Sequence, residues 1–127
     1  MFLPALGIDI AKLKFDICLI NTEGKPKHKV FPNTAAGFSQ LAAWLTKQRV
    51  EHVHACMEAT GTYGEALAYQ LHAAGHTLCV INPAAVKAFA GSRLSRTKTD
   101  KVDAVLIARF CAAQQPPAWT PPAMEVR

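Results

Sequence analysis

Three short apolar runs come before any helical periodicity, and that order restricts the fold more than any other feature of the chain. Leu6 to Ile10 is the first, carrying one charge. In the second, Phe15, Ile17 and Leu19 recur at the strand period of two, up to Ile20. The third, from about Lys27 to Phe31, is more polar, and Pro26 with several lysines marks it as a sheet edge. Ala11, Lys12 and Leu13 connect the first two runs, and Thr22-Glu23-Gly24-Lys25 turns into the third, so an antiparallel meander opens the chain. Alternation begins only afterwards. Asn33 or Thr34 caps a helix to about Gln48, with Phe38, Leu41, Ala42 and Leu45 as its buried stripe. His52 to Glu58 is a strand that ends on a carboxylate. Thr60-Gly61-Thr62 starts a helix to about Ala74, Gly75 terminates it, and Thr77 to Ile81 is another strand. Asn82-Pro83 begins a short alanine-rich helix, Gly91 to Thr99 is a basic loop, and a last helix carries Asp100 and Asp103 and runs to about Ala113.

Simple doubly wound folds alternate strand and helix from the start, which this chain does not. A β-β-β-α-β-α-β-α order suits an α/β, ribonuclease-H-like plan, a mixed five-stranded sheet flanked by helices. A right-handed crossover through the first helix would lay the strand ending at Glu58 parallel to the one holding Asp9. With 127 residues, half of them apolar, there is enough for one core and no second globular unit. Residues 1–113 are expected to form that domain. The prolines at 116, 117, 121 and 122 make 114–127 a tail without regular structure, leading toward regions beyond this chain.

The acids are placed unusually. Asp9 stands inside an apolar strand, where an uncompensated charge is expensive, so it must be hydrogen-bonded, paired with a base, or bound to a metal. Asp100 and Asp103, three residues apart at the mouth of an apolar helix, should project from one face roughly 5 to 6 Å apart. Thr97 or Thr99 could cap that helix, and acids in a first turn are favoured by its dipole, so a purely structural account of one of the pair stays open. On the proposed plan Glu58 and Asp9 end adjacent strands, with the final helix across them. Four oxygen donors without His or Cys suit Mg2+ or Mn2+, hard ions that bridge phosphate oxygens and, as a pair, support in-line displacement.

The formal charge of +5 becomes informative through its distribution, because Lys87, Arg93, Arg96, Lys98 and Lys101 lie together in the sequence. Polyanions are the natural partners, with a solvated basic face as the bland alternative. Lys12 and Lys14, just past Asp9, can offset its charge or touch a phosphate. Cys18, Cys56, Cys79 and Cys111 have no Cys-x-x-Cys spacing and read as reduced, buried thiols rather than zinc ligands or disulfides. His52, His54, His72 and His76 read as surface or strand-face residues. Ser92 and Ser95 fit phosphate hydrogen bonding or loop capping, Phe38 and Trp44 the core, and Trp119 a docking contact. No signal peptide or membrane span is visible, and a soluble cytoplasmic protein without a membrane partner is expected.

Four fragments, in order, carry a family resemblance: Gly7-Ile8-Asp9-Ile10-Ala11-Lys12, Glu58-Ala59-Thr60-Gly61-Thr62-Tyr63, Asn82-Pro83, and Lys98-Thr99-Asp100-Lys101-Val102-Asp103-Ala104. Together, across Leu6 to Ala112, the chain resembles the N-terminal domain of the DEDD insertion-sequence transposases, which include Piv-type DNA invertases and bridge-RNA-guided recombinases. The resemblance implies a RuvC-like catalytic domain with Asp9, Glu58, Asp100 and Asp103 as a metal-binding tetrad, DNA as substrate, and a homo-oligomer in the full-length protein. A guide RNA is a further partner it leaves open. Family members continue into a coiled coil and a C-terminal domain that supplies a nucleophilic serine, so this chain alone is expected to be inactive. A stand-alone RuvC-like junction endonuclease and a non-catalytic RNA- or DNA-binding module are the competing readings. Gly7-Ile8-Asp9 is also similar to the opening strand of actin-like sugar kinases, but the glycine-rich phosphate loops of those enzymes are missing.

Overall fold

The computed structural model describes residues 3–21, 25–58, 62–93 and 103–120, with backbone alone at 91–93. Five strands form one sheet: β1 (Ala5–Ile10), β2 (Lys14–Ile20), β3 (Pro26–Pro32), β4 (His54–Glu58) and β5 (Thr77–Ile81), in the order β3-β2-β1-β4-β5. The meander β1-β2-β3 is antiparallel, whereas β4 pairs in parallel with both β1 and β5. The expected mixed sheet is therefore present, with Gly7 opposite Cys56 and Ile8 opposite Met57 across the central parallel pair.

Side-chain alternation divides the sheet into two apolar faces. Leu6, Ile8, Phe15, Ile17, Leu19, Ala55, Met57 and Leu78 share a core with Phe38, Leu41 and Leu45 of α1 (Ala35–Lys47) and Leu67 and Leu71 of α2 (Glu65–Ala73). The other face carries Ala5, Cys18, Cys56, Cys79 and Ile81 against Val86 of α3 (Pro83–Arg93) and Ala104, Ile107, Ala108 and Cys111 of α4 (Ala104–Gln114). Covering both faces explains why β4 buries Ala55, Cys56 and Met57 in succession. Strand β3 is the polar edge, with only Phe31 buried.

Of the two α1 caps that the sequence offered the structure uses one, and three further features differ from the sequence reading. Thr34, not Asn33, caps α1, its hydroxyl accepting from Gly37 N at 3.1 Å. The stripe of α1 uses Gly37 where Ala42 was expected; Ala42 is exposed, and a side chain at 37 would overlap the Pro32 carbonyl. Helix α2 starts at Glu65, after Gly64, rather than near Thr60, while residues 59–61 lie outside the described set. Helix α3 runs through Gly91 to Arg93, into the stretch read as loop, because a glycine inside a helix costs only about 1 kcal/mol and no proline interrupts this one.

Trp119 folds the segment after α4 back onto the sheet. Its backbone N–H donates to Leu78 O at 2.6 Å, and its ring meets Tyr69 and His72 edge to face. Among the described residues no helix is long and apolar enough to cross a membrane.

Candidate active site

Asp9 is the fifth of the six β1 residues and Glu58 the last of β4; both are half-buried at the C-terminal ends of adjacent parallel strands. Their common face follows from the residues two before each. A side chain at Gly7 would collide with the Ala104 carbonyl oxygen and the Ala108 nitrogen, so α4 lies against β1 at that point. Cys56 packs with Ile107 and Cys111 of the same helix. By the period of two, Asp9 and Glu58 project to the α4 side as well. The absence of a side chain at position 7 is what allows a helix to pass so close to two carboxylates.

The two acids interact. Burial first, then the Asp9 carboxylate, pushes Glu58 above its ordinary pKa, and Lys87 pulls it part of the way back. Glu58 Oε2 is buried and has no hydrogen-bond partner among the described residues. An orphaned carboxylate oxygen beside a second carboxylate is a costly arrangement for a bare protein and a ready one for a cation. Lys87, exposed on α3, acts on Glu58 by its charge. The loops around the site are braced by Asn33, whose side-chain amide donates to Ala11 O and Tyr63 O, each at 3.0 Å, tying together the segments that follow β1 and precede α2.

Asp103 is exposed and stands one residue before α4, not within it. Its Oδ1 accepts from Leu106 N at 3.0 Å, which makes Asp103 the N-cap. The expected helical i, i+3 pairing with Asp100 therefore does not hold for Asp103; Asp100, with Thr97 and Thr99, lies outside the described residues. Ala104, the residue after Asp103, packs on Cys18, the β2 partner of Gly7, and the Cys18 pKa is raised by burial, lowered by Arg109 and raised again by Asp103. Asp103 is thus on the same face of the sheet as Asp9 and Glu58.

Among the bases, Lys12 is exposed just beyond β1. Lys14 pairs with Asp16 at 3.8 Å. Arg93 ends α3, and Arg96, Lys98 and Lys101 lie outside the described residues. Sequence reasoning missed two contributors. Lys87 was read only as a phosphate contact, although it also acts on Glu58. Asn33 gave no signal, because its partners are 22 and 30 residues away.

A family model described as "DEDD_Tnp_IS110: Transposase" matches residues 6–126. The chain belongs to this DEDD transposase family. Two pilin gene-inverting proteins, from Moraxella bovis and Moraxella lacunata, are each 41% identical over 118 residues, covering 91% of this chain and 36% of theirs. The chain thus spans about a third of the length of the curated relatives it matches. Two solved structures share the fold of this DEDD domain. Thermus thermophilus RuvC does so at TM-score 0.52 and 16% identity, and the fowlpox virus Holliday junction resolvase at 0.50 and 15%; each comparison covers 89% of this chain and 97% of the other. The domain is RuvC-like in fold, as the family resemblance implied, and the mixed sheet follows the ribonuclease-H-like plan that the order of its elements suggested.

Proposed function

We propose that this DEDD domain is the divalent-metal-dependent catalytic part of a DNA recombinase, with Asp9, Glu58, Asp100 and Asp103 holding Mg2+ or Mn2+ against a DNA phosphodiester. The observation that carries the reading is the orphaned Glu58 Oε2 beside Asp9. The donor set fits such an ion, being all oxygen and negatively charged. When bound, a hard divalent cation neutralises charge on the phosphate and favours in-line displacement of one oxygen by another.

The remaining work falls to side chains. Asp9 and Glu58, fixed at the ends of neighbouring strands, set the position of the scissile phosphate. The cap bond holds one oxygen of Asp103 to the helix backbone and so fixes the direction of the other. Lys12, Lys87, Arg93, Arg96, Lys98 and Lys101 hold the phosphate backbone without reading bases. Residues 1–113 act as the catalytic unit, and 114–127 lead out of it. The oxygen nucleophile of strand exchange is a serine of a C-terminal domain in a homo-oligomer, because exchange needs a group that stays attached to the cut end. The 127-residue chain on its own binds DNA and does not exchange strands.

The test replaces Mg2+ with Fe2+ and generates hydroxyl radicals from it beside an end-labelled branched duplex. Cleavage at one locus of the DNA, lost in Asp9→Asn and in Glu58→Gln with duplex affinity retained, supports the reading. Diffuse cleavage, or cleavage unchanged by either substitution, overturns it. Metal-dependent nicking of supercoiled DNA with free ends by the chain alone would instead identify a junction nuclease.

A further inference from the structure

Toward the other end of β4 from Glu58, three elements bring a second and chemically different donor set together. His54 opens β4 and Cys56 follows on the same face. Cys79 is the β5 residue opposite Cys56, and Cys111 belongs to the last turns of α4. A ring nitrogen of His54 and the sulfurs of Cys56 and Cys111 all lie within 4.8 Å of one another. Cys79 joins the group from β5, directly opposite Cys56, with its sulfur 3.0 Å from His54 Nε2. All three thiols are buried and free, and they share their cluster with Ala5, Ile81, Val86, Ile107 and Phe110. We propose that His54, Cys56, Cys79 and Cys111 form a structural site for a thiophilic divalent ion, Zn2+ above others, between the sheet and the segment that follows α4.

The dimensions suit the ion. With Zn–S bonds of about 2.3 Å, the sulfurs of a tetrahedral site stand about 3.8 Å apart, so the His54, Cys56 and Cys111 donors, already inside 4.8 Å, reach it by shifts of about 1 Å or less, and Cys79 approaches from the His54 side. One nitrogen and three sulfurs are a set for zinc and a poor one for Mg2+, which keeps the two sites of this domain chemically separate. Zn2+ binding here releases three thiol protons to solvent and leaves the imidazole neutral.

The bland alternative is that the thiols pack simply as small apolar groups, but their contacts are polar. Cys79 Sγ and His54 Nε2 stand 3.1 and 3.2 Å from the Pro116 carbonyl, and Cys111 Sγ donates to the His54 carbonyl at 3.1 Å. The Pro116 carbonyl closes the group from the tail side, and Trp119 pins the same segment to β5 three residues later. A metal here would fasten the chain where it leaves α4. Cys18, buried on β2, takes no part and serves as an internal reference.

The experiment uses the reduced 127-residue chain with excess Mg2+ present to fill the carboxylate site. One equivalent of Co2+ should give thiolate-to-cobalt charge-transfer absorption together with the intense visible bands of a tetrahedral ion, and Zn2+ should abolish both. Cys56→Ser and Cys111→Ser should lose the absorption, whereas Cys18→Ser and Asp9→Asn should keep it. Because a core serine can prevent folding, zinc-edge X-ray absorption on the wild-type protein gives a reading without substitution. A sulfur-dominated first shell with Zn–S near 2.3 Å is expected. An oxygen-only shell, no charge-transfer band in the reduced wild type, or a band unchanged in both Cys56→Ser and Cys111→Ser would overturn the proposal.

Discussion

Replacing Gly7 with alanine should destabilise the domain far more than one methyl group suggests. The new Cβ would fall inside the Ala104 carbonyl oxygen and the Ala108 nitrogen and 2.9 Å from Ala108 Cα. Ordinary contact begins near 3.4 Å, and these neighbours are the backbone of a regular helix, with no side chain free to turn aside. Helix α4 must therefore retreat by about 1 Å from a face where Ile107, Ala108 and Cys111 are fully buried. Overpacking costs about 1–3 kcal/mol, and a clash of main chain against main chain belongs at the upper end. The reduced entropy of the unfolded chain returns about 0.4–1 kcal/mol, leaving a loss of about 2 kcal/mol. For a chain of this size that lowers Tm by on the order of 10 °C. Gly64→Ala is the control: its Cβ meets the flexible Met57 sulfur at 2.9 Å, and φ there is −94°, so a change below about 1 kcal/mol is expected. Urea and thermal melts followed by circular dichroism measure both. A Gly7→Ala protein as stable as wild type would refute the close passage of α4 over β1, and with it the position of the Asp103 cap on that face of the sheet.

The pKa of Glu58 is raised in the fold, so in metal-free protein the folded state binds more protons than the unfolded state as pH climbs from the ordinary glutamate range to the raised value. Stability should fall across that window, and Glu58→Gln should flatten the fall and be the more stable protein at neutral pH; denaturant midpoints measured from pH 4 to 8 decide. Asp103→Ala should cost about 1 kcal/mol through the lost cap, whereas Asp103→Asn keeps the cap and that stability but loses the response to divalent metal; equal metal responses in Asn variant and wild type would reject Asp103 as a ligand. If about three bases contact duplex phosphates, log affinity against log salt should have a slope of about −2.7. Lys12→Ala with Lys87→Ala should flatten that slope, and an unchanged slope would return these lysines to a solvated surface.

The sheet was legible because strands β1, β2 and β4 announce themselves by alternation and by an acid in an otherwise apolar run. Glu58 and Asp9 could be set side by side from the order of elements alone. The start of α4 was misread although its signal was present: the continuous apolar pattern begins only at Ala104, and Asp is among the best N-caps, so Asp103 fitted the cap better than the helix interior. Helix α2 begins after Gly64 although Thr60 and Thr62 offered attractive caps. The partners of Asn33 and the convergence of His54, Cys56, Cys79 and Cys111 were beyond reach. The first needs two loops brought together. The second needs the β4–β5 register and the height of α4 above it, and spacings of 2, 23 and 32 residues match no ligand motif.

The central claim is that the carboxylates on the α4 side of β1 and β4 form one site for a hard divalent ion. Titrating the domain with Mn2+, and following free Mn2+ by electron paramagnetic resonance, tests it without requiring catalysis, partner or DNA. Wild type should take up Mn2+, while Asp9→Asn and Glu58→Gln, each shown folded by circular dichroism, should leave it free. Equal uptake by all three proteins would contradict the account.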